Sequence, residues 1–143
     1  MTLVDANVLL YVVNAQAEHH AASRAWMRSA LRSGRPVGLA WLALTAFIRL
    51  STKVGLFPAP LDVSDATGIV RSWVDHPATL VLEPTARHAG VLAGLLQEVG
   101  TGGNLVNDAH LAAIAVEHDA EVVSYDNDFS RFTGVRWSIP SAG

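Results

Sequence analysis

Residues 104–128, NLVNDAHLAAIAVEHDAEVVSYDND, pass from a helical pattern into a short apolar run, with aspartates near both ends. Leu105, Ala109, Ala112 and Val116 recur at helical spacing, with Asn107, His110 and Glu117 roughly opposite. The spacing predicts a helix over about 105–119, started by Asn104. On that wheel Asp108 falls about 50° from the centre of the apolar face, so its carboxylate points inward or along the rim of the core. No arginine or lysine lies nearby in sequence to neutralise it. The EVVS that begins at Glu121 reads as a buried strand, and Asp126 and Asp128 follow it closely.

Working outward, the same alternation recurs along the chain. TLVD from Thr2, PVGLA from Pro36, TLVLE from Thr79 and VRWSI from Val135 read as further strands. Helical patterns occupy about residues 7–14, 17–33, 41–55, 62–75 and 86–99, the last started by Thr85. Strands separated by helices call for right-handed crossovers. The expected fold is therefore α/β, three layers deep, with a central, mostly parallel sheet of four or five strands. A length of 143 residues predicts a single domain over 1–143. GTGGN from Gly100 reads either as a mobile lid or as a helix C-cap followed by a loop, and GLFPAPLD from Gly55 as a proline-fixed turn.

The chain opens MTLVDANVLLY, where Asp5 and Asn7 interrupt an otherwise apolar run. An unpaired buried carboxylate costs several kcal/mol, so something must compensate Asp5. Ligands in open parallel sheets sit beyond the carboxyl ends of the strands. If the first and fourth strands are neighbours, Asp5 and Asp126 face one crevice. Each acid also has a plainer reading: Asp5 as an N-cap, Asp126 and Asp128 as turn residues, and Asp108 as a half-exposed helix residue. Taken jointly they read differently. Two carboxylates about 4 Å apart repel by about 4 kcal/mol at an effective dielectric of 20, so a cluster of ionised acids calls for a divalent cation. Hard oxygen donors and a chain without cysteine favour Mg²⁺ or Mn²⁺ over zinc.

Bulk properties narrow the function classes. A net charge of −3 argues against a general nucleic-acid coat protein, without excluding a nuclease whose positive charge is a bound metal. Apolar residues make up 50% of the chain and charged residues only 16%. That surplus implies that another chain, a second copy or a different partner, covers part of the surface. The N-terminus lacks a basic region and its apolar run is interrupted, so neither a signal peptide nor a membrane span is expected, and the location expected is cytoplasmic. A receiver domain also gathers acids at strand ends but needs a late lysine, and the only lysine is Lys53.

LVDANVLLY at the N-terminus and NDAHLAAIAVEHDAEVVSYDNDFSRF near the C-terminus resemble the PIN-domain ribonucleases, specifically the VapC-type toxins of toxin–antitoxin pairs. The resemblance covers nearly the whole chain; residues 55–95 match in element pattern only. It implies metal-dependent cleavage of RNA, a VapB-type antitoxin partner and a homodimer. It also places Asp5, Asp108 and Asp126 on the family's metal-binding and catalytic acids, with Asp128 a weaker member of the cluster. Ser124 matches a small hydroxyl residue before the last acid, and Asn7 an outer-sphere position. One departure stands out: Ala46 occupies the place of a family glutamate three residues before Arg49, which puts a second metal in doubt. The rival reading is a catalytically weakened PIN domain that acts by binding RNA or a partner.

Arg24, Arg28 and Arg32 repeat every four residues and form one basic stripe. It reads as a solvated helix face or as a contact for RNA or an acidic partner. Trp26, Trp41 and Trp73 read as core or interface residues, and the six histidines show no metal-ligand spacing.

Overall fold

A computed structural model describes residues 1–55 and 57–141; of the GLFPAPLD turn, Leu56 lies outside the described residues. The elements run β1 (Thr2–Val4), α1 (Ala6–Val13), α2 (His20–Leu31), β2 (Val37–Leu39), α3 (Trp41–Ser51), α4 (Val63–Val74), β3 (Thr79–Val81), α5 (His88–Val99), α6 (Leu105–Glu117), β4 (Glu121–Val123) and β5 (Trp137–Ser138), with a short 3-10 turn at Asn127–Arg131 before β5. The strands form one sheet in the order β3-β2-β1-β4-β5, every neighbouring pair parallel.

The strands are only two or three residues long, yet their alternation builds two cores. Leu3 and Val122 face a cluster made with α5, α6, Phe129 and Phe132. Val4 and Val123, the next residues, face a second cluster made with α1, α2, α3 and α4. This is the period-two rule of a strand applied to a sheet covered on both faces. Gly38 in β2 is required by close packing: a Cβ there would sit 2.6 Å from Leu82 Cδ1 and 2.8 Å from the Thr2 carbonyl oxygen.

Several helix ends differ from the sequence reading for local reasons. The helix expected over 17–33 starts only at His20, with no side-chain cap at His19. The one expected over 41–55 stops at Ser51, where the Thr52 hydroxyl donates back to the Ile48 carbonyl at 2.7 Å. Thr85 stands ahead of α5, which begins at His88: its hydroxyl donates to Glu117 and its oxygen accepts from the Arg87 amide at 3.2 Å, bonding the turn that leads into the helix. Asn104 precedes α6 without a side-chain hydrogen bond. Gly100 ends α5 in the left-handed region at φ 75°, so GTGGN opens as a helix C-cap.

The single apolar face assigned to α6 is also corrected. Leu111, Ala113, Ile114 and Ala115 are buried along with Ala109 and Ala112, because α6 is sandwiched between the sheet and α5. Trp41, read as core or interface, is 45% exposed at the start of α3, whereas Trp73 packs edge-on against the buried Phe47.

Candidate metal centre at the carboxyl ends of β1 and β4

β1 and β4 are direct neighbours, paired Thr2 to Glu121, Leu3 to Val122 and Val4 to Val123. The residues that follow them therefore reach the same rim of the sheet. The Asp5 amide donates to the Val123 carbonyl at 3.0 Å, extending the ladder by one step. Both readings of Asp5 hold together, because its two oxygens divide the work. Oδ1 accepts from the Ala6 amide at 2.8 Å and caps α1, while Oδ2 accepts from the Ser124 hydroxyl at 2.7 Å.

Ser124 is fully buried and joins the two strand ends. Besides donating to Asp5, its hydroxyl oxygen accepts from Asn7 Nδ2 and from the Asp126 amide, each at 3.0 Å. Asn7 Nδ2 also reaches Asp5 Oδ2 at 3.4 Å, and Asn7 Oδ1 accepts from the Tyr125 amide at 3.2 Å. Asp126 Oδ1 then accepts from the Asp128 amide at 2.9 Å, which starts the 3-10 turn. Neutral donors thus hold Asp5 and Asp126 in place without cancelling their charge.

Asp108 arrives from the first turn of α6, and carboxylate oxygens of Asp108, Asp126 and Asp128 lie within 4.8 Å of one another. Asp5 is not in that trio. It shares with Asp108 the lining of a cavity of about 370 Å³, to which α3 contributes Thr45, Ala46 and Arg49. Burial pushes the Asp108 carboxyl up to about 7, helped by a proton shared with Asp126 and by the charges of Asp126, Asp5 and Asp128. Asp5 is raised as well, burial outweighing its bonds from Ser124 and Ala6, with Asp126 adding to the rise. Asp128 has one loose cationic neighbour, Arg131 Nη1 at 3.9 Å. A half-buried group of mutually repelling oxygen donors fits a hard divalent cation.

The sequence reading placed Asp5, Asp108 and Asp126 on the metal-binding acids with Asp128 the weaker member; the geometry groups Asp128 with Asp108 and Asp126 and sets Asp5 beside them. Asn7 and Ser124 stand behind the acids. Ala46 faces the cavity, so no carboxylate occupies the place of the family glutamate, and Arg49 supplies a cation that sequence neighbourhood around Asp108 does not reveal. Arg24, Arg28 and Arg32 are exposed on α2 and do not line this cavity.

A second polar cluster lies between α5 and α6. Glu117, placed by its wheel position on an outward face, has no exposed side-chain surface. Its Oε1 accepts from the Thr85 amide and hydroxyl at 2.8 and 2.6 Å, and its Oε2 from His88 Nδ1. His88 Nε2 and His110 Nδ1 are hydrogen-bonded to each other at 2.8 Å. Only the packing of α5 on α6 brings these residues together, so no spacing in the sequence reports the cluster.

Residues 2–135 match the PIN domain family. The chain is 57% identical over 142 residues to Ribonuclease VapC37 of Mycobacterium tuberculosis, an alignment covering 99% of each, and 36% identical over 140 residues to Ribonuclease VapC33 of the same organism, covering 98% of each. Among solved structures, M. tuberculosis VapC20, described as a sarcin-ricin loop cleaving toxin, shares the fold at a TM-score of 0.68 and 18% identity, with 95% of this chain and 99% of that one covered. VapBC2 from Rickettsia felis bound to a promoter DNA fragment matches at a TM-score of 0.68 and 14% identity, covering 96% of this chain and 97% of that one.

Proposed function

This chain belongs to the PIN-domain family as a ribonuclease of the VapC toxin type, and from that premise we propose that it hydrolyses RNA phosphodiester bonds at the acidic crevice, with Mg²⁺ or Mn²⁺ held by Asp108, Asp126 and Asp128. The observation that carries the assignment is the meeting of these carboxylates within 4.8 Å at the rim where Asp5 also arrives. When bound, the cation lowers the pKa of water and neutralises charge on the phosphoryl oxygens.

The chain's own residues do the rest. Asp126 is oriented from both sides, its amide on Ser124 and its Oδ1 on the Asp128 amide, so it keeps one oxygen for the crevice. Asp108, its carboxyl pushed up to about 7, is about half protonated near neutrality, and a bound cation would favour its ionised form. Asp5, tied by Ser124 and Ala6, faces the same cavity and holds or orients a water there. Asn7 and Ser124 maintain that geometry as positioning residues. Arg49 offers the cavity's cationic group to a scissile phosphate.

Ala46 is the specific observation that favours the rival, a weakened site which binds RNA or a partner without cutting. Against it, Asp108, Asp126 and Asp128 form a close group without any contribution from position 46. Magnesium often needs only one or two protein carboxylates. As a toxin the chain pairs with an antitoxin segment covering the crevice, forms a homodimer and works in the cytoplasm as a single catalytic domain. Among the described residues no helix is long and apolar enough to cross a membrane. Cleavage of RNA by the purified chain, measured with Mg²⁺ or Mn²⁺, with EDTA and in Asp126→Asn, tests the proposal. Cleavage that survives both chelation and the substitution overturns it.

A further inference from the structure

We propose that the exposed face of α2 formed by Arg24, Arg28 and Arg32 is a track for the backbone of single-stranded RNA leading to the acidic crevice. The proposal rests on the ribonuclease reading above, and starts from a difficulty in it. Four aspartates gather at the crevice and the chain carries a net charge of −3, so the site repels the polyanion it must cut. Arg49 and a bound cation serve the scissile phosphate alone, so affinity for the rest of the strand has to come from elsewhere on the molecule.

The positive charge is concentrated. Six of the ten Lys and Arg residues, Arg24, Arg28, Arg32, Arg35, Arg49 and Lys53, fall between residues 19 and 61, a stretch without a single Asp or Glu. Four of them belong to α2 and the loop after it, all exposed, and among the described residues none makes an ion pair. Successive stripe residues are separated by about 6 Å along the helix axis, comparable to the interval between phosphates of one nucleic-acid strand. Beside the stripe lies a depression lined by Arg28, Ser29, Arg32 and Ser33. It adjoins a second one, at the amino ends of β1, β2 and β4, that shares both serines and adds Arg35, Glu121 and an Arg136 already paired with Asp119.

The track is anchored to the catalytic rim. Buried Ser23, the residue before Arg24, bonds the Tyr125 hydroxyl at 2.8 Å, and Tyr125 directly precedes Asp126. His19 stacks on Tyr125 with ring centroids 4.3 Å apart and planes 16° from parallel, and Tyr11 meets Tyr125 edge-on at 5.2 Å. All three rings keep partial exposure. Aromatic rings at one end of a line of cationic side chains are a combination that holds single strands without regard to sequence. The exposed face itself alternates arginine with alanine and serine and offers no large apolar anchor of the kind a protein interface uses.

The test is binding of a fluorescein-labelled single-stranded oligouridylate of about 20 nucleotides, measured by anisotropy in EDTA across a salt series. Cleavage is not needed for this readout. The triple reversal R24E/R28E/R32E is expected to weaken binding at low salt at least about tenfold and to lower the slope of log K against log salt by about 2. The triple R24K/R28K/R32K is expected to retain most of both. With metal added, the ratio of kcat/KM on the oligouridylate to that on a trinucleotide should fall in the reversal variant. Unchanged affinity and salt slope overturn the proposal whether or not the chain cuts RNA; so does a reversal that abolishes binding of polyglutamate alone, which assigns the face to an acidic protein. A wild-type chain that binds RNA through the stripe and never cleaves it refutes the ribonuclease reading and upholds the track.

Discussion

Asp108 and Glu117 stand at opposite ends of α6, and the fold treats their charges in opposite ways. Glu117 is enclosed, which on its own pushes its carboxyl up. Hydrogen bonds from Thr85 and His88 and the charge of His88 outweigh that burial and hold it below its ordinary range. Asp108 is only half-buried, yet it is pushed up to about 7, because burial is compounded by other acids instead of donors. One helix thus carries a carboxylate that the protein has neutralised and another left waiting for a cation. Burial alone does not distinguish a functional acid from a structural one; the company it keeps does.

The largest effect that separates the two should come from removing the charge at each. Asp108→Asn is expected to lower RNA cleavage at least about a hundredfold in saturating Mn²⁺ while leaving the metal-free urea midpoint unchanged or higher, since it removes a repelling charge. Glu117→Gln should do the reverse. It turns one carboxylate oxygen into an NH2 donor, so either the Thr85 donors or His88 lose their acceptor; this lowers stability by about 2 kcal/mol in the same urea titration and leaves the rate per folded molecule near that of the wild type. A Glu117 variant that folds normally and has lost cleavage would break the contrast.

A smaller effect sharpens it through pH. Asp108 binds its proton more tightly folded than unfolded, from its ordinary 3.8 up to about 7, so metal-free stability attributable to it falls as pH rises through that window. Glu117 has the opposite sign: its contribution is present above its ordinary 4.5 and is lost as pH falls below it. Thermal melts in EDTA should therefore decline from about pH 4.5 towards pH 7 and level off beyond it, and Mg²⁺ or Mn²⁺ should remove that decline. Calorimetric titration of Mn²⁺ near pH 7 in buffers of different ionisation enthalpy should register about half a proton released per ion, rising towards one at pH 6.

How far the sequence could be read follows the same division. Alternation and length place all five strands within a few residues, and adjacency of β1 and β4 brings Asp5 and Asp126 to one rim, as their positions after those strands imply. Asp108 was legible because its wheel position conflicts with its charge. Glu117 was not, because its partners Thr85 and His88 lie on a separate segment that only tertiary packing brings close. The wheel places it outward because a wheel knows nothing of α5. Arg49 is hidden for the same reason: it reaches the crevice from across the second crossover. The closeness of Asp128 to Asp108 depends on the 3-10 turn that the Asp126 side chain starts, a local hydrogen bond that spacing leaves undetermined.

The smallest effect expected is the addition of an acid where the crevice lacks one. Ala46 is half-buried on α3 in the lining that holds Asp5 and Asp108. Ala46→Glu places a further carboxylate against a site that already repels its own charges, so the metal-free protein should lose up to about 1 kcal/mol, read as a lower urea midpoint in EDTA. The same charge attracts a divalent cation, so Mn²⁺ should bind more tightly, by up to about tenfold in calorimetry, and should recover the lost stability. Glutamate at an exposed position on another helix should do neither. If Ala46→Glu leaves both the metal-free midpoint and Mn²⁺ affinity unchanged, the cavity is solvated enough to screen its charges. The contrast between Asp108 and Glu117 then loses its electrostatic basis, because the repulsion assigned to the crevice would be too weak to require a cation.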